Sequence, residues 1–271
     1  SNKAISNAGT FTNNDGTVVI DITNSNKTMV DARATYHHLT INSDGSNKDV
    51  ELNNLAATVE GNLTVQEGKV YTYATSGRHL TVTGHVSIES GGEIDMNNAA
   101  GKNATFGSLK IQSGGTYTAT SGTTFILSEL SSSGFAFDSH SSGTFTHNNG
   151  TVSIGNGTTA AETHIAENTF YNLIINSNSD SKLLIFRPES GSTVTVANDL
   201  TMTRGTSYRN NVSDTLTVTG DVSIASGSTL GRTNDTGASN FGSLTIASGG
   251  TYVATSGTTE ITSAASNYAI S

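Results

Sequence analysis

The feature that most constrains this chain is repetition at two scales. Residues 9–20 read GTFTNNDGTVVI and residues 143–154 read GTFTHNNGTVSI; residues 80–92, LTVTGHVSIESGG, return at 216–228 as LTVTGDVSIASGS. Residues 106–126 return at 241–261 with 17 of 21 positions identical, which rules out coincidence. The offsets are 134, 136 and 135, so a unit of about 135 residues occurs twice, over 1–134 and 135–271. Inside it an apolar, small polar, apolar triplet recurs. It starts at Leu39, Leu63, Val86 and Leu109, spaced 24, 23 and 23, and again at Leu173, Leu200, Val222 and Leu244, spaced 27, 22 and 22. Gly61, Gly84, Gly107, Gly220 and Gly242 each stand two residues before a triplet.

Alternation of that kind is a strand with one buried face. Leu63 and Val65 point inward and Thr64 outward. Turn signals follow the triplets at Gln66-Glu67-Gly68, Glu89-Ser90-Gly91-Gly92 and Gln112-Ser113-Gly114-Gly115, and lead into second strands at Val70, Ile94 and Tyr117. A third strand is readable at Leu80-Thr81-Val82 and at Thr124-Phe125-Ile126. One period of about 23 residues therefore holds three short strands. A single coil cannot bury its apolar row, but stacked coils can, so the expected fold is an all-β parallel β-solenoid, or β-helix. Dividing 271 residues by 23 gives about twelve coils, or about 55 Å of stacked strands. The competing architecture is two tandem β-sandwich domains, which explain the short strands but not the glycine at a fixed offset.

Composition excludes several functions. A net charge of −9 disfavours nucleic acid and anionic lipid, both of which select basic surfaces. No cysteine is present, so disulfides and thiolate metal sites are absent, which suits export to an oxidising space. The longest apolar run, Leu183-Leu184-Ile185-Phe186, is far too short for a membrane span, and no signal peptide is visible. The chain lacks an initiating Met, and Ser1–Ser6 (SNKAIS) resembles Ser266–Ser271 (SNYAIS), which suggests a slice of a longer array or a subunit whose ends meet.

The segments Gly143–Ile154, Phe170–Asn176 (FYNLIIN) and Leu216–Gly220 (LTVTG) resemble long repeat proteins of bacterial surfaces and environmental phages. The broader likeness is to filamentous-haemagglutinin-type adhesins and other parallel β-helix fibres. The resemblance covers nearly the whole chain and implies an exported or virion-borne fibre, extracellular, on a cell surface or on a virion; it transfers no catalytic residue.

Candidate chemistry is thin. Glu89, Glu93 and Asp95 form the best acidic cluster, and Glu93 and Asp95 share a strand face, as a carboxylate pair for glycoside hydrolysis would. Their counterparts in the second unit are Ala225, Thr229 and Gly231, which leaves solvated surface charge as the better reading. Of seven histidines (His37, His38, His79, His85, His140, His147, His164), the adjacent pair His37-His38 is expected on opposite strand faces, poor for joint metal binding. Oxygen-rich loops at Asn42, Asp44 and Asp49, and at Asn176, Asn178 and Asp180, are conceivable calcium ligands, but neither completes a calcium motif and turn chemistry explains both. Threonine pairs such as Thr81/Thr83 and Thr116/Thr118 suggest ice binding, yet Val253 breaks the set, and Thr suits any solvent-facing strand. Tyr117 and Tyr252 read as core rather than as sugar platforms. The sequons at Asn62 and Asn103 are read as chance.

No catalytic, cofactor or metal residue is therefore assigned. The expectation is a non-enzymatic structural rod: a shaft segment of an extracellular filament, surface adhesin or phage fibre, self-associating end to end or continuing in a longer array. A module binding cell-surface glycans is the first alternative, and a polysaccharide-degrading enzyme the second.

Overall fold

A computed structural model describes residues 3–6, 9–23, 27–31, 33–43, 48–53, 57–72, 79–97, 101–130, 133–155, 161–167, 169–188 and 193–262. Among them every regular element is a β-strand, and no helix is long and apolar enough to cross a membrane. The chain divides into two compact units: residues 1–125 with 139–150, and residues 126–138 with 151–271. The terminal likeness of residues 1–6 to 266–271 lies outside the described residues save for 3–6, and so does Asp44.

In unit 1 the coils stack as three parallel ladders. The first runs through β1 (Thr17–Asp21), β2 (His38–Asn42), the start of β3 (Leu63–Thr72), the end of β4 (Leu80–Ile88) and the end of β5 (Ala104–Ile111). The second carries Asp49–Asn53, the end of β3, β6 (Gly92–Asp95), β7 (Thr116–Thr118) and β8 (Thr144–Thr146). The third joins Ala57–Val59 to the starts of β4 and β5. Two ladders can share one long strand because glycine lets the chain bend at the corner. In β4 that residue is Gly84, where a Cβ would stand 2.6 Å from the Gly61 carbonyl oxygen of the coil before.

Unit 2 repeats the scheme. Its first ladder runs through β9 (Thr151–Ile154), β10 (Asn172–Asn176), β11 (Leu200–Arg204), β12 (Thr215–Ile224) and β13 (Ser239–Ile246). A second ladder contains Glu162–Ile165, Leu183–Phe186, β14 (Thr206–Arg209), β15 (Thr229–Leu230) and β16 (Thr251–Tyr252). The third ends on Thr259–Ile261.

The inward row is apolar throughout. Leu39, Leu63, Val86 and Leu109 lie in register on successive coils of unit 1, as do Leu173, Leu200, Val222 and Leu244 in unit 2, all buried. Each row adds roughly 1.5–3 kcal/mol per side chain taken from water. Thr64 between Leu63 and Val65 faces outward, as alternation requires. Parallel pairing one coil on the next excludes the sandwich, which is built from antiparallel sheets.

The solenoid has about 23 residues per coil but roughly ten turns, not twelve. The register shows why: most partners are 21 to 24 residues apart, but Leu173 and Leu200 are separated by 27 and Tyr117 and Phe145 by 28. A further difference concerns Gln66-Glu67-Gly68, where the chain does not break between strands. There β3 continues from the first ladder into the second, with Gly68 at a φ of 82°.

Candidate functional site

The predicted carboxylate pair is real as a pair. Glu93 and Asp95 share the outward face of β6, and Glu93 lies in register with Lys69 of β3. The Lys69 ammonium sits 3.0 Å from one Glu93 carboxylate oxygen and 2.5 Å from one of Asp95. Burial works against that ammonium, but the Asp95 and Glu93 carboxylates outweigh it and hold the Lys69 pKa above its ordinary value. Both carboxylates of the pair are thus engaged by one ammonium. Glu89 is not part of the triad; its carbonyl accepts the Gly92 N–H at 3.0 Å and closes the turn before β6.

On the same face Lys27, Glu51 and Tyr71 meet from three successive coils. Glu51 is 3% exposed, and it accepts from Lys27 Nζ at 2.8 Å and from the Tyr71 hydroxyl at 3.2 Å. Hydrogen bonds to Glu51 and Tyr71 hold the Lys27 pKa above the usual lysine range, and Lys27 also lies over the Tyr71 ring at 5.0 Å. This face is thus a set of ion pairs linking coils.

The histidines have a role that the sequence reading missed. Two corners of unit 1 carry files of side chains that accept the backbone N–H of the next coil. Asn62 N–H donates to His38 Nδ1 at 2.9 Å, and His85 N–H donates to Asn62 Oδ1 at 2.9 Å. His85 Nδ1 then meets Ser108 Oγ at 2.5 Å. At another corner Asn103 N–H donates to His79 Nδ1 at 3.0 Å, and Thr123 N–H to Asn103 Oδ1 at 3.2 Å. His140 and His147 accept from Ser142 and Asn149, two residues on, as Asn13 accepts from Asp15. In each case a histidine Nδ1 accepts a backbone N–H as the asparagine Oδ1 does. The signal was present: the residue between the glycine and the triplet is Asn62, His85, Ser108, Asp221 or Ser243, in every case a hydrogen-bonding type.

The pair His37-His38 departs from expectation. His37 lies in a bend before β2, not on the strand, so alternation does not separate the rings, and their centroids are 4.4 Å apart. His37 Nδ1 stands 3.5 Å from Asp15, and His164 Nε2 is 3.0 Å from Glu162. Burial lowers the His85 pKa from 6.5. Among the described residues no three His, Asp or Glu side chains gather as a metal site.

Of the oxygen-rich loops, Asn42 and Asp49 lie on strands of different ladders, and Asp180 is paired with Arg204 Nε at 2.7 Å. Threonine forms a file that the sequence reading did not single out: Thr35, Thr58, Thr81 and Thr105 stand in register on successive coils. Tyr117 is wholly buried, with its hydroxyl on Thr124 Oγ1 at 2.9 Å, whereas Tyr252 is half-buried.

Unit 2 contains the deepest charge cluster. Asp235, fully buried, binds Arg209 Nη2 at 3.1 Å and Arg232 Nε at 2.8 Å. Arg209 is 4% exposed and also donates to the Ala238 carbonyl at 2.7 Å. Arg232 stacks over the Tyr208 ring at 4.7 Å and donates to the Asn210 carbonyl. These groups pin two successive corner loops together. A groove of unit 2 is lined, among the described residues, by Ser133, Phe135, Asp138, Ala166, Arg187 and Pro188.

Against protein-family models, curated proteins and solved structures, the chain has no significant match.

Proposed function

We propose that the chain is a non-enzymatic structural element, a shaft segment of an exported filament, surface adhesin or phage fibre. The observation that carries this reading is how the polar side chains are used. Histidine, asparagine, aspartate, lysine and arginine mostly bind the coil above or below, so groups that a catalytic or binding site would present are engaged in holding the stack together. The likeness of Gly143–Ile154 and Leu216–Gly220 to surface and phage repeats points the same way, as does the cysteine-free composition. The net charge of −9 supports partners other than nucleic acid.

Electron microscopy of the native assembly, with antibody against this chain, tests the reading. Labelling along a filament or spike is the expected result. Label on dispersed particles, with a polysaccharide-cleaving activity abolished by Glu93→Gln, would overturn it.

A further inference from the structure

We propose that Asn211 is an N-glycosylation site, the acceptor of a sugar from a glycosyl diphosphate donor. The acceptor pattern is Asn, any residue but Pro, then Ser or Thr. It occurs seven times in this chain, and the copies at Asn26 and Asn156 lie outside the described residues. So Asn-rich a sequence yields the pattern by chance, and the fold distinguishes among the other five copies.

A transferase must grip the amide and the hydroxyl two residues on together, so both side chains have to be free and outside the ladders. Four copies fail this. Asn62 Oδ1 accepts the His85 N–H at 2.9 Å, and Leu63 and Thr64 run on within β3. Asn103 Oδ1 accepts the Thr123 N–H at 3.2 Å, and Ala104 and Thr105 belong to β5. After Asn149, Thr151 lies in β9, paired with Asn172 of the next coil. After Asn234, Asp235 is buried between Arg209 and Arg232, and Thr236 Oγ1 donates to the Val212 carbonyl at 3.2 Å. Each of these would have to leave the stack to be modified.

Asn211 differs on every count. Asn211-Val212-Ser213 lies wholly in the corner between β14 and β12, and all three residues are exposed. Asp214 N–H donates to the Asn211 carbonyl at 3.2 Å and closes a four-residue turn. From the next coil Thr236 N–H and Gly237 N–H donate to the Val212 carbonyl at 2.6 and 2.8 Å. The backbone is thus anchored while the side chains stay in solvent. Among the described residues neither the Asn211 amide nor the Ser213 hydroxyl makes a hydrogen bond. A second observation concerns Val212, which is 41% exposed; among the large apolar side chains described, only Val19 is more so. The apolar face of a sugar on Asn211 would cover it.

In the transfer, Asn211 Nδ2 bonds to the anomeric carbon as the bond from that carbon to the diphosphate oxygen breaks. The diphosphate leaves with the bonding electron pair, and Nδ2 gives up one proton to the transferase's base. Nothing is oxidised or reduced.

Trypsin cuts after Arg209 and Arg232, which puts Asn211 on the peptide 210–232 and Asn234 on the next one. The test is electron-transfer mass spectrometry, which leaves glycans in place, on tryptic peptides of the native chain isolated from its source. A glycan on Asn211 is expected, with occupancy at least about tenfold above that of Asn62 or Asn103, because freeing either of those first breaks a hydrogen bond. A single sugar would identify a sugar nucleotide as the donor and a preassembled oligosaccharide a lipid-linked diphosphate; both support the site. Ser213→Ala, expressed in the same source, is expected to remove the glycan and leave the β-sheet circular dichroism unchanged. A bare Asn211, a glycan that survives Ser213→Ala, or equal occupancy at Asn62 would each overturn the assignment. None of these outcomes touches the shaft reading, which microscopy decides separately.

Discussion

The corner files of the two units have the same geometry and different chemistry. In unit 1 the file is His38, Asn62, His85 and Ser108; in unit 2 it is Asn172, Asp199, Asp221 and Ser243. Asp199 N–H donates to Asn172 Oδ1 at 3.2 Å, Asp221 N–H to Asp199 Oδ1 at 2.8 Å, and Ser243 Oγ to Asp221 Oδ1 at 2.5 Å. What is retained is a hydrogen-bonding side chain at one position of successive coils, an acceptor at His38, Asn62, Asn172, Asp199 and Asp221 and a donor at Ser243. The ion pairs span a range of depth as well: Glu93 and Lys69 of unit 1 are partly exposed on an outward face, whereas Asp235 and Arg209 of unit 2 are buried.

That difference in depth predicts the largest effect. Asp235→Ala leaves Arg209 buried without its carboxylate and is expected to destabilise unit 2 by about 3–5 kcal/mol, measured by urea unfolding. A loss under about 1 kcal/mol would mean that the cluster is wetter than its burial indicates. The corner glycines come next and should behave alike in both units. A Cβ would stand 2.6 Å from the Gly61 carbonyl at Gly84 and 2.8 Å from the Asn198 carbonyl at Gly220. Gly84→Ala and Gly220→Ala are each expected to cost about 1–3 kcal/mol, read by hydrogen exchange of the adjacent coils. A large cost in one unit alone would break the equivalence.

Acid should separate the two files. Burial sets the His85 pKa below 6.5 in the folded chain, so the unfolded chain binds the proton more tightly. The contribution of neutral His85 is present above about pH 6.5 and is lost as the pH falls from there toward the folded pKa. Thermal melts should show unit 1 losing stability in that window, and His85→Asn should flatten the slope while keeping the acceptor. An unchanged slope in His85→Asn would assign the acid sensitivity elsewhere. The smallest effect is expected at the outward triad, where Glu93 and Lys69 are about one-third exposed. Glu93→Gln should cost about 0–1 kcal/mol, and less at high salt.

Much of this was legible beforehand. The triplets at Leu63 and Val86 place the buried rows, and Gly61, Gly84 and Gly107 mark the corners, because alternation and backbone crowding are local and recur in every coil. The grouping of Glu93 with Asp95 was equally readable, since residues two apart on a strand share a face. Lys69 between them was not readable, and neither was Asn103 on His79. Those partners lie 24 to 26 residues apart, so which of them meet depends on the register of one coil on the next. His37 was misplaced for a related reason: it falls in a bend, where the strand period does not apply.

The sequence by itself determined a stack of parallel coils of about 23 residues, with a known inward face and a glycine at the corner, because these follow from period and steric volume. Only the tertiary structure decided which polar side chain meets which. Loop lengths set the register, with partners anywhere from 20 to 29 residues apart, and one residue of slip would turn every side chain to the opposite face. Histidine therefore becomes a backbone acceptor and glutamate a tie between coils through placement, not through composition.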